Sequence, residues 1–346
     1  MSRTVLISLF GVALAGACSP SDDPTDCDAL TKFYRATGST LDWPLNGTSL
    51  CRWPGITCRS TDGRASQLWL RNMSLGGTLP EQLGNLSSLN VFFVQINRIS
   101  GTVPARLGQL SRLKDLDLDT NRLSGTVPTT LGLLTATTGM WLQTNPLSGS
   151  IPTEFGRLTA LTGLALGATR ISGTIPTELA LPSMRDLFLG AGYETPVPRG
   201  LLSGTIPKQI GDTSSHMRLL HLEDHRLSGS IPTEFGKLAM LSDLHAENNR
   251  LEGTVPTELG AIGLELTSLY LQNNSLSGTI PTEIRALGNM CYLYLDHNHL
   301  SGTVPHEVCD LFVESALALC QLNDNDFVCP LASAPCAARS CYATCK

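Results

Sequence analysis

Leu110-Ser-Arg-Leu113-Lys-Asp-Leu116-Asp-Leu118-Asp-Thr-Asn121-Arg-Leu123-Ser-Gly-Thr-Val-Pro128 is one turn of a pattern that fills most of this 346-residue chain. Leu116 and Leu118 are two apart, so in a strand both point one way while Asp117 and Asp119 point the other. Leu110, Leu113 and Leu123 fill the rest of the interior. Asn121 can both donate and accept, so stacked copies of it can satisfy backbone groups that a buried bend would orphan. One turn buries little alone. Stacking creates a continuous core, and the two end turns then need covers.

The pattern recurs with a fixed period. Pro stands at 80, 104, 128, 152, 176, 207, 232, 256, 281 and 305, with spacings of 24, 24, 24, 24, 31, 25, 24, 25 and 24. The preceding motif is nearly constant, as in Ile99-Ser-Gly-Thr-Val-Pro104, Leu147-Ser-Gly-Ser-Ile-Pro152 and Leu276-Ser-Gly-Thr-Ile-Pro281. Asn recurs at 97, 121, 145, 249, 274, 298 and 325, whereas the same slot holds Met73, Thr169, Gly192 and His225. An Asn ladder interrupted in mid-chain is therefore expected.

A period of 20 to 29 residues with the form LxxLxLxxNxL is the signature of leucine-rich repeats. The LSGxIP variant resembles the plant-type subclass, as in polygalacturonase-inhibiting proteins and the ectodomains of receptor-like kinases and receptor-like proteins. Asp28-Ala-Leu30, Trp43 and Cys51-Arg-Trp53-Pro-Gly55-Ile-Thr-Cys58 are similar to the cap that precedes such repeats. The resemblance implies an α/β repeat fold: a right-handed leucine-rich-repeat solenoid with a parallel β-sheet on the concave face, short helical or 3-10 segments on the convex face, and cysteine-containing caps at both ends. The expected organisation is a signal peptide over 1–17, an N-terminal cap over 18–65 and about ten to eleven repeats over 66–329, with a C-terminal Cys-rich cap over 330–346. The inhibitors carry paired cysteines in the cap where this chain has the single Cys51, which leaves pairing of Cys27 with Cys18 as the expectation.

Composition excludes several classes. With 30 acidic against 24 basic residues, a net charge of -6 and no long Lys/Arg cluster, nucleic acid is not expected as a partner. Arg3, the apolar run from Val5 to Ala15 and Ala15-Gly16-Ala17 form a secretory signal pattern, with a lipid anchor on Cys18 as the competing reading. No later segment approaches about 20 continuous apolar residues, so no transmembrane segment is expected. Export permits disulfides, and Cys51, Cys58, Cys309, Cys320, Cys329, Cys336, Cys341 and Cys345 crowd the two ends as candidates. Eleven cysteines leave one unpaired, Cys18 or Cys291.

Function should lie on the outward strand positions. Between the two strand leucines stand Trp69, Phe93, Asp117, Trp141, Ala165, Phe188, His221, His245, Tyr270, Tyr294 and Gln321. Six of the chain's 19 aromatic residues fall in that column, where the core does not need them, so it is the candidate binding face. The alternative is that these rings only pack on one another as strand neighbours. Two places on lie Arg71, Gln95, Asp119, Gln143, Gly167, Gly190, Glu223, Glu247, Gln272, Asp296 and Asn323, a polar column read as exposed and suited to sugars or to a peptide carrying Lys or Arg. Near Gly167 and Gly190 the surface should be shallow, with the insertion 193–200 at its lip.

Chemistry is not expected. His221-Leu-Glu-Asp-His225 superficially resembles a zinc-protease helix, but the Glu is one place late and the segment reads as strand and turn. His221, His245, Glu223 and Glu247 could form a pH-sensitive or metal-binding patch, a weaker reading than ligand contact. No nucleophile, base and orienter set stands out, so neither catalytic residue, metal nor cofactor is assigned. Thr78, Thr102, Thr126, Ser150, Thr174, Thr205, Ser230, Thr254, Thr279 and Thr303 form a hydroxyl-methyl ladder that could order ice, or simply fill extended exposed positions. Asn46, Asn72, Asn85 and Asn273 begin glycosylation sequons, and Asn273 reads as lying on the concave sheet. The leading expectation is a secreted or cell-surface, non-catalytic protein that binds an extracellular protein, peptide or polysaccharide, with a membrane co-receptor as a further partner. The alternative is a structural or adhesive surface protein without a defined ligand.

Overall fold

The computed structural model describes residues 17–38, 40–190, 200–314, 318–328 and 341–342. Each turn places the first of its two core residues in a short strand and the second just past it, as with Leu116 in Asp115–Asp117 and Met140 in Gly139–Trp141, and Leu116 and Leu118 are fully buried. Stacked in chain order, these strands form a thirteen-stranded sheet that is parallel except at its start, where Ile56–Cys58 pairs antiparallel with Ala65–Trp69. A ten-stranded sheet follows the Leu-Ser-Gly-Thr segments, for example Arg122–Thr126. Short 3-10 turns such as Ala105–Gln109 and Thr129–Leu133 follow Pro104 and Pro128. The leucines of successive turns fill one continuous core between these layers.

The strands are short because, three residues past the end of most of them, the chain enters a left-handed bend. Thr120 (φ 48), Thr144 (φ 54), Asn248 (φ 56) and His297 (φ 52) occupy a region that a Cβ disfavours. The following Asn offsets that cost. Asn121 Nδ2 donates to Val94 O of the preceding turn (3.0 Å) and to Leu118 O (3.1 Å), and its Oδ1 accepts from the Ile99 amide (3.0 Å). The ladder is thinned rather than broken where Asn is lacking. Thr169 Oγ1 keeps the bond within the turn to Leu166 O (2.8 Å), and His225 Nε2 keeps the bond to Leu189 O of the turn before (2.9 Å). Gly192, with the insertion from Tyr193 to Arg199, lies outside the described residues.

The N-terminal end of the core is covered by helix α1 (Pro24–Ala36), whose N-cap Asp23 accepts from the amides of Thr25 and Asp26. Asp26, 1% exposed, takes a two-pronged bond from Arg64 and a third from the Ala65 amide (2.9 Å), which ties the helix to the first parallel strand. Trp43 packs between Phe33 and Trp53 at ring distances of 6.0 and 5.0 Å, and Phe33 meets Phe92 of the first repeats at 6.5 Å. Two disulfides, Cys18–Cys27 and Cys51–Cys58, close this cap, and the first uses the thiol that a lipid anchor would need. At the other end Cys320 is disulfide-bonded and the strand Cys341–Tyr342 pairs with Leu319–Gln321. Cys291 is a free thiol. Of the other candidate cysteines, Cys329, Cys336 and Cys345 lie outside the described residues.

Candidate functional site: the concave face

Register places the predicted column on one surface. Trp69 stands opposite Phe93, Phe93 opposite Asp117, and the series continues through Trp141, Ala165, Phe188, His221, His245, Tyr270 and Tyr294 to Gln321. Strands about 4.8 Å apart hold neighbouring rings at stacking distance. His221–His245, His245–Tyr270 and Tyr270–Tyr294 accordingly stack at 4.2, 4.2 and 4.9 Å, and Phe188 meets His221 edge-on at 4.8 Å. The rings of this half therefore offer edges, with few open faces for a sugar. At the other end Trp69 is 48% exposed and packs edge-on against Phe93 at 4.7 Å.

Between these two groups the close stacking stops, and Trp141 and Phe188 meet only at 6.4 Å, tilted by 45°. Ala165 breaks the stack, and Trp141 lies down across Gly139 and Gly163, where an added Cβ would come within 3.0 and 2.7 Å of the indole. The result is a hollow of about 400 Å³, walled by Trp141, Phe188 and His221 and floored by Ala165, Gly167 and Gly190. The expectation of a shallow surface is corrected. Small residues between large neighbours on a stiff sheet make a depression. The glycines two places before Trp141 and Ala165 were the signal for it, and Tyr292, 37% exposed and stacked on Tyr270 at 6.2 Å, is a second surface aromatic that the column reading passed over. Gly163→Ala should push the indole off the sheet. The expected outcome is altered Trp fluorescence and weaker ligand capture with little change in melting temperature, because only a flexible side chain must move.

The polar column is less open than expected. Glu223, Glu247 and Asp296 are 4%, 0% and 5% exposed. Gln95, Gln143, Glu223, Gln272 and Asp296 each keep a buried side-chain oxygen with no hydrogen-bond partner among the described residues. Such oxygens favour an incoming donor. Burial raises Glu223 to about 7, helped by the Glu247 charge, and lowers His221 to about 4, helped by His245. Burial also acts downward on His245, but the hydrogen bond and charge of Glu247 prevail and raise it.

At the other side of the hollow, burial raises Asp117 to about 6, and it also raises Asp119. A raised carboxyl binds its proton more tightly folded than unfolded, so its ionisation lowers stability as pH rises from about 4 through about 6. Asp117→Asn should therefore melt higher than the parent at pH 7.5 and equally at pH 3.5. A variant that melts lower at pH 7.5 would contradict this environment.

The remaining candidates separate. Asn273 (φ 55) is exposed on the turn that ends the strand Ser268–Tyr270, not on the sheet, because the left-handed bend has already turned the chain away. Asn46 and Asn72 are exposed and Asn85 is half-buried. His225 turns inward to the ladder while His221 faces the concave surface, so the two do not meet as a protease pair would. All ten members of the Thr/Ser column are exposed along the second sheet. The Thr102 methyl lies 3.0 Å from where a Cβ on Gly125 (φ 78) would stand, so a glycine there gives the methyl its place.

Comparison with known proteins adds the following. The family described as Leucine rich repeat N-terminal domain matches residues 23–59, and Leucine Rich Repeat matches 112–134, 265–287 and 289–311. The Arabidopsis thaliana protein named Probable inactive receptor kinase RLK902 is 35% identical over 103 residues, 29% of this chain and 16% of its own. The plant peptide hormone receptor RGFR1 in complex with RGF2 superposes with a TM-score of 0.69 at 32% identity, covering 74% of this chain and 39% of that one. PEPR1-AtPEP1 superposes with a TM-score of 0.73 at 29% identity, covering 88% and 45%. The chain spans only 8 to 16% of the length of the curated receptor kinases it matches. No described helix is long and apolar enough to cross a membrane.

Proposed function

We propose, from the premise that this chain is a plant-type leucine-rich-repeat solenoid, that it is a secreted, non-catalytic recognition protein that binds an extended peptide along its concave face. The observation that carries the reading is the hollow between Trp141 and Phe188, set on the sheet beside oxygens of Gln143 and Glu223 that have no partner among the described residues. An apolar side chain fits the hollow, and peptide N–H groups or a Lys or Arg fit the acceptors and Asp117. The stacked rings from His221 to Tyr294 leave little open face for carbohydrate, which favours peptide over polysaccharide. The two solved receptors above are named with RGF2 and AtPEP1, which agrees with this reading. An open sheet is also a poor place for catalysis, which needs a dry, enclosed site.

The test is capture. The protein is immobilised and exposed to secreted peptides, secreted proteins and wall glycans, alongside a version with Trp69, Phe93, Trp141 and Phe188 changed to Ala. Retention of a peptide by the parent and its loss from the variant is the expected result. Equal capture by both would favour the structural or adhesive alternative.

A further inference from the structure

We infer that His221, His245 and Glu223 form a binding site for a divalent transition cation of the zinc type, set in the concave sheet at the C-terminal wall of the hollow. His221 and His245 face each other in register on adjacent parallel strands, their rings 4.2 Å apart. One nitrogen of each imidazole and one oxygen of Glu223 all lie within 4.8 Å of one another. Ligands at about 2.0–2.2 Å from a tetrahedral ion sit roughly 3.4 Å apart, so small rotations of these side chains close the site.

A second observation points the same way. Glu223 is 4% exposed, and its Oε2 has no hydrogen-bond partner among the described residues. Its carboxyl lies over Gly190, where a Cβ would collide with it, so the glycine makes room for a buried acid that keeps one oxygen without a partner among the described residues. Glu247, 0% exposed, brings a second carboxylate, with Oε1 3.3 Å from His245 Nδ1. Two carboxylates balance a doubly charged cation. Two imidazoles select the zinc, copper, nickel and cobalt group over calcium or magnesium, which prefer all-oxygen sites. Phe188 at 4.8 Å from His221 and Tyr270 at 4.2 Å from His245 flank the two rings on either side, so the imidazoles turn toward the ion within a row of aromatic neighbours. The inference stands on these side chains and not on the recognition reading.

The test titrates ZnCl2 alone into the chelator-treated intact protein by calorimetry. One cation per chain is expected, and His245→Ala, which removes a ligand, should weaken binding by more than the roughly 10- to 100-fold that loss of a ligand's outer partner costs, while the exposed His299→Ala leaves it unchanged. Because a change at a buried cluster can unfold its turn, CoCl2 is also added to the unaltered protein. Visible absorption bands of a four-coordinate nitrogen and oxygen site, removed by chelator, are expected. Zinc affinity unchanged in a folded His245→Ala variant, or no cobalt bands in the unaltered protein, would overturn the inference.

Discussion

Changing Trp141 to Ala should weaken binding of the captured peptide by about 2 kcal/mol or more, a factor of roughly 30, while leaving the melting temperature nearly unchanged. The indole is the largest movable wall of the hollow and rests on Gly139 and Gly163 rather than in the core. Its removal takes away contact area without opening a cavity among the leucines. Tyr294→Ala should have a smaller effect, since that ring is stacked on Tyr270 and offers its edge. Titration calorimetry of both variants, with thermal melts as controls, checks the ranking. A larger loss from Tyr294→Ala would move the binding site toward the C-terminal half.

The second large effect is on stability. Asn145→Leu should cost about 2–5 kcal/mol, because each buried polar group left without a partner costs about 1–3 kcal/mol. Asn145 is 3% exposed. Its Nδ2 donates to Leu118 O (2.9 Å) and Leu142 O (3.1 Å), and its Oδ1 accepts from the Leu123 amide (2.9 Å). Leucine fits the apolar surroundings but satisfies none of these groups, at a bend where Thr144 already holds φ 54. Urea unfolding followed by two probes measures the loss, since a solenoid can unfold turn by turn. A variant as stable as the parent would show that the ladder does not hold the turns together.

The sequence made the architecture legible because each turn repeats one physical solution. Leu116 and Leu118 had to hide together, the Asn slot had to serve a bend, and the period carried both along the chain. The outward column was legible for the same reason, since strand spacing and alternation fix which residues share a face. What the rings do to one another was not legible. Alternation places His221, His245, Tyr270 and Tyr294 side by side, but whether they stand open or stack depends on side-chain rotation. The burial of Glu223 and Glu247 was not legible either, since it depends on how each side chain turns, over Gly190 in one case and toward His245 in the other. The hollow depended on Gly139 and Gly163, two small residues whose meaning emerges only once Trp141 is seen lying across them. The fate of His225 was hidden too: a histidine in an Asn slot can keep a cross-turn bond that spacing alone marked as broken.

The most direct test of recognition through the concave face is oxidative footprinting of the protein with and without its captured peptide. Trp141 and Phe188 are expected to be protected, while Leu133 and Met240, 52% and 46% exposed away from that column, react equally in both states. Protection of Leu133 and Met240 with Trp141 left reactive would contradict recognition through that face.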